Sequence, residues 1–157
     1  MYLDAVNAVK TGNYPSSWQD VYNGDNCLIV KSGNWINYGP IPGSPLQGGP
    51  GAIQGNFNND EEISQGVGDI ATLTADNATG FEIKGTYGPN RGKMQVFVDD
   101  VSQGTITLTN PNWAQNQSLF KSAVLTKGTH TLKIVNASTD VSVSQVGIDE
   151  IIVTKQR

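Results

Sequence analysis

The chain has 157 residues, 14 acidic and 10 basic, for a formal net charge of −4, and only 15% of it is charged, against ~25% in an ordinary soluble domain. Its 15 Asn, 10 Gln, 11 Ser and 13 Thr make a surface that hydrogen-bonds without charge, and 37% hydrophobic residues exclude a disordered chain. Residues 1–80 carry eight acids and two bases, and residues 81–157 carry six acids and eight bases, so no stretch can neutralise a run of phosphates and no nucleic acid is expected.

The length suits one domain over residues 1–157. No apolar run reaches the ~20 residues of a membrane span, so no membrane partner is expected. Nor is a signal peptide, since Met1 leads straight into Tyr2, Leu3 and Asp4.

In chain order, Tyr2–Lys10 reads equally as a helical turn or a strand. Trp18 and Tyr22, four apart, share one side of an extended segment around Asp20–Tyr22 and are read as structural. The lone Cys27 excludes an internal disulfide, and beside Leu28, Ile29 and Val30 it is expected as a small core residue within a strand Cys27–Lys31. A strand Asn34–Tyr38 follows. There Trp35 and Tyr38 point to opposite faces, Trp35 inward and Tyr38 towards a ligand.

Residues 39–55 hold six Gly and four Pro in GPIPGSPLQGGPGAIQG, a loop where neither helix nor central strand can form. Asp60-Glu61-Glu62 reads as solvated charge. Strands are then expected at Asp69–Ala75, Gly80–Tyr87, Lys93–Val98, Thr105–Thr109, Ser118–Leu125, Thr129–Val135 and Gly147–Thr154, with hairpin turns at Asp99-Asp100 and Lys127-Gly128. Helical signal is almost absent, which points to an all-β sandwich.

Four segments carry a resemblance: GDIATLT (68–74), TGFEIKGTYGPNRGKMQVFVDD (79–100), LFKSAVLTKGTHTLKIVN (119–136) and GIDEIIV (147–153). Together they resemble the galactose-binding-domain-like, jelly-roll-like β-sandwich. SWQDVYNG (17–24) and SGNWINYG (32–39) look like the early strands of carbohydrate-binding modules on that scaffold. The chain departs from the pattern at Asp100, where the family usually has Gly, and at Gly147, where some sugar-binding relatives have Asn. The resemblance implies a module of a larger protein, of the kind appended to glycoside hydrolases or inserted in phage distal tail and baseplate proteins. It therefore implies a virion or extracellular location. It also implies a structural Ca²⁺ near the chain ends, with Asp4 and Asp149 as carboxylate ligands and Val6 where a second acid usually stands.

Saccharides are held by an aromatic face against the C–H side of the ring and by polar groups on the hydroxyls. Trp113, in the amide-rich stretch Asn110–Gln117, is the candidate platform, with Tyr38 as a second ring and Tyr87 beside the Gly88–Lys93 turn as a third. Asn37 and Asn112 are candidate hydroxyl ligands. Arg91 can fork onto a carboxylate of the same domain or onto a saccharide phosphate or uronate. Catalysis is not expected. His130, the sole histidine, sits in an alternating strand as a packed, hydrogen-bonded residue, and the acids occur as adjacent pairs, not as two carboxylates placed across a cleft. Non-catalytic adhesion to a cell-wall or capsular saccharide is the reading that follows; a structural, protein-docking sandwich is the alternative.

Overall fold

Period-2 alternation between Gly, Asn and Asp turns leaves little but strand to form. A computed structural model describes residues 15–39, 56, 58 and 60–157. Its strands are β1 (Ser17–Asn23), β2 (Val30–Ser32), β3 (Trp35–Tyr38), β4 (Glu61–Ser64), β5 (Ile70–Tyr87), β6 (Lys93–Val98), β7 (Val101–Thr107), β8 (Ala114–Lys121), β9 (Gly128–Asn136), β10 (Val146–Ile148) and β11 (Glu150–Gln156). The fold is an all-β, jelly-roll-like sandwich. Among the described residues no helix is long and apolar enough to cross a membrane.

β5 is the spine. Its first part pairs with β2 and β9, its second with β11 and β8, and the registers shift between Ala75 and Ala78, where Asn77 takes φ 56°. One 18-residue strand thus replaces the two expected at Asp69–Ala75 and Gly80–Tyr87. β1 closes the far side against β11, from Ser17 opposite Gln156 to Asn23 opposite Glu150, and the Arg157 N–H donates to the Ser16 carbonyl. Inward residues of the strands, among them Phe81, Ile83, Val96, Leu132, Ile134 and Val153, form one buried cluster.

The β6–β7 turn is made by Asp99 and Asp100, both at positive φ (49° and 64°). That is the mirror-image turn that matches strand twist, and aspartate tolerates it, so Asp100 does what glycine usually does.

Two further expectations are corrected. Cys27 is exposed, because it lies in a turn: the Asn26 N–H donates to the Asn23 carbonyl and Ile29 N–H to Asn26, and of the run only Ile29 is buried. Asp60-Glu61-Glu62 is not a solvated loop: all three are buried, and Glu61 and Glu62 open β4, the centre of a three-stranded sheet β10-β4-β3. Residues 40–55 of the Pro/Gly segment lie outside the described residues, as do Tyr2–Lys10 and Asp4; Gly39, at the segment's head, is buried.

Candidate functional site

One end of the sandwich gathers most of the candidates. The Gly88–Lys93 turn is stitched to residues 108–110: Gly88 N–H donates to the Leu108 carbonyl (3.1 Å), Asn110 N–H to Gly88 (3.0 Å) and Leu108 N–H to Gly92 (2.8 Å). The Asn110 side chain then accepts from the Asn112 N–H at 2.9 Å, a local turn that delivers Trp113 beside Gly88. Trp113 is half-buried and Asn112 exposed. The indole lies on the bare α-carbon of Gly88, and the Arg91 guanidinium carbon stands 5.5 Å from the ring centroid. Tyr87 pairs in register with Ala114, half-buried against the core.

Arg91 is 1% exposed and takes the first of its two readings. Its Nη2 donates to Glu61 Oε2 at 2.6 Å and its Nη1 to Gln145 Oε1 at 3.0 Å. Glu61 Oε1 accepts from the Thr86 N–H at 3.2 Å. Burial pushes the Glu61 carboxyl up to about 7, while Arg91 and Thr86 pull the other way. Asn56, buried, braces the same corner, donating to Thr86 Oγ1 and accepting the Asn116 N–H.

Tyr38 belongs to this end through relays. Its hydroxyl accepts from Gln65 Nε2 (3.4 Å), and Gln65 Oε1 accepts from Gln145 Nε2 (3.5 Å), which closes a string from Tyr38 to Arg91 and Trp113. Asn37 stands apart, its Nδ2 donating to Asp60 Oδ2 at 3.4 Å. Glu61, Asn56 and Gln145 were not among the sequence candidates. One acid of the run Asp60-Glu61-Glu62 and two amides in polar stretches carry no local signal; their meaning comes from partners 25 or more residues away.

The implied calcium can be tested on the donors present. Among the described residues no three His, Cys, Asp or Glu gather. Asn23 Nδ2 bridges Asp25 Oδ1 (2.8 Å) and Asp60 Oδ2 (3.3 Å), while Asn23 Oδ1 and Asp60 Oδ1 are buried without a hydrogen bond. Burial raises the Asp60 pKa, against the pull of its two asparagine bonds. Asp149, fully buried, lies alongside, its carbonyl accepting the Gly24 N–H at 2.7 Å. These two oxygens are donors of the kind a hard cation takes, though calcium asks for six to eight; a cation there would tie the turn after β1 to the start of β4. Its role there would be structural.

A separate groove of about 270 Å³ runs over Gly80 on the outer face of β1, β11 and β5, walled by Gln19, Thr154, Glu82, Lys121 and Ser122. Its lining contains one ring, Phe81, and that ring is buried in the core. The groove therefore offers no stacking face.

No protein-family model and no curated protein matches the chain. Solved structures do match. A family two carbohydrate esterase from Cellvibrio japonicus superposes with TM-score 0.58 at 15% identity over 89% of this chain and 34% of that one. The CBM36-1 domain of a multidomain xylanase from the hindgut metagenome of Trinervitermes trinervoides gives 0.50 at 16% identity over 86% of this chain and 95% of that domain. The Podospora anserina GH26-CBM35 β-(1,4)-mannanase gives 0.55 at 14% identity over 88% of this chain and 28% of that one. The chain thus spans about a third of the esterase's length. At these identities the likeness is one of fold: the β-sandwich of carbohydrate-binding modules.

Proposed function

We propose that this domain is a non-catalytic carbohydrate-binding module that takes a saccharide on Trp113. The observation that carries the reading is the half-buried indole, seated on Gly88 next to the exposed Asn112 and followed along the chain by the exposed amides Asn116 and Gln117. A rigid apolar face ringed by neutral hydrogen-bonding groups is what a pyranose requires. The fold shared with modules of a xylanase and a mannanase supports the same class. Glu61, the carboxylate behind Arg91, is fully buried and engaged on both oxygens, which disfavours a glycosidase. Adhesion to a bacterial cell-wall or capsular saccharide, as part of a phage tail or secreted protein, is the finer form of the proposal and rests on the sequence resemblance.

A single site of this kind binds in the ~10 µM to mM range, and display in several copies turns that into firm adhesion. The test is a glycan array with pull-down on Gram-positive cells and their wall polysaccharides. W113A is expected to abolish binding that free sugar competes, with the melting temperature within a few degrees of the parent. Retained binding in a W113A domain overturns the site.

A further inference from the structure

The polar cluster behind Trp113 exceeds what packing needs. Glu61 fills a notch that two glycines keep open: a β-carbon on Gly147 would stand 2.1 Å from Glu61 Oε1, and one on Gly85 3.3 Å from it. Both carboxylate oxygens and both terminal nitrogens of Arg91 are committed, to Thr86, to each other and to Gln145. The Arg91 carbonyl accepts from Thr109 Oγ1 at 2.5 Å, which ties the same residue to the segment that leads into Trp113. A buried ion pair recovers its desolvation cost poorly, and well-packed apolar residues of similar volume often do as well. Stability alone is thus a weak reason for this one. Direction is a better reason. A guanidinium is a flat fork, and when both prongs are anchored its plane is set; an indole 5.5 Å away packs against a fixed wall.

We propose that Glu61 is a positioning residue for the saccharide platform: through Arg91 it sets the plane of the Trp113 ring, and sugar affinity depends on it although it touches no ligand. The inference rests on the reading of Trp113 as the platform. It adds a residue on β4, 52 positions before the indole, whose side chain has no exposed surface.

The experiment uses a W18F/W35F background, which leaves Trp113 as the one tryptophan of the chain. Two variants are built on it, E61M/R91M and R91K. The readouts are Trp113 emission and acrylamide quenching without ligand, and binding to immobilised Gram-positive wall polysaccharide. The expected result for E61M/R91M is a folded domain with red-shifted, more quenchable emission and binding weaker by roughly tenfold, the scale of one cation–π contact. R91K keeps the charge but removes the flat fork, and should move emission and binding the same way. It also provides the answer if the double variant fails to fold. Parental emission and binding in folded R91K overturn the positioning role. Parental binding in W113A, with emission still responsive to R91K, overturns the platform instead, so the two failures are told apart.

Discussion

Trp113 and Gly88 fit because an atom is missing: a β-carbon on Gly88 would lie 2.2 Å from the indole Cζ3 and 2.3 Å from Cε3. Real β-carbons never approach that closely, and the Arg91 guanidinium stands 5.5 Å from the ring centroid. Gly88→Ala should therefore push the indole off its seat at a stability cost of roughly 1–3 kcal/mol, the range of overpacked sites. Urea titration measures the cost and polysaccharide pull-down the loss of binding. Unchanged binding in a folded variant would show that the seat does not matter.

His130 makes a pH-dependent clip. Its Nδ1 lies 2.6 Å from Asp99 Oδ2 and its Nε2 2.6 Å from the Thr126 carbonyl, so both ring nitrogens face acceptors and only the imidazolium can donate to both. The Thr126 bond first, and Asp99 second, raise the His130 pKa above 6.5; the Thr131 N–H first, and His130 second, lower that of Asp99 below 3.8. The histidine's contribution is therefore full below pH 6.5 and lost as pH rises through its raised folded value. The aspartate's is present above pH 3.8 and lost as pH falls through its lowered one. The clip is solvent-screened, so about 0.5 kcal/mol is at stake. With one histidine in the chain, its NMR titration is unambiguous: Asp99→Asn should lower the midpoint, and an unmoved midpoint would contradict the geometry.

Asp60 is the residue to change if the asparagine–aspartate cluster takes a cation. Its Oδ1 and that of Asn23 are buried without hydrogen bonds, so calcium should raise the melting temperature and a chelator reverse it. For millimolar affinity at tenfold excess the gain is about 1.4 kcal/mol, a few degrees. Asp60→Asn should erase the calcium response while leaving the metal-free domain at least as stable, because a desolvated charge beside Asp25 has gone. Identical melting curves with calcium and chelator would remove the cation from the account.

Where local pattern decides structure, the sequence was readable. β6 runs from Lys93 to Val98 as expected, since Met94, Val96 and Val98 alternate inward with no exception. β4 was invisible for the opposite reason: Glu61 is an acid whose burial makes sense only with Arg91, 30 residues on, and Gly85 and Gly147, which no local pattern couples to it. Cys27 misled because three apolar neighbours outweighed the Asn23–Asn26 turn that lifts the segment outward. Of the candidate site, Trp113, Asn112, Tyr87 and Arg91 do lie together, Tyr38 joins them through two glutamines, and Asn37 serves Asp60. The anchoring shell behind the ring is built from long-range partners, and alternation along the chain does not encode those.

The pairing of Ser16 with Arg157, and of β1 with β11 beyond them, has a mechanical side. Both residues stand at the same end of an antiparallel pair, so tension between them runs across the strands. The ladder cannot share that load; its rungs break singly, from Ser17–Gln156 towards Asn23–Glu150. Under pull at those two points the domain would open like a zipper along this seam while the Trp113 end stayed folded.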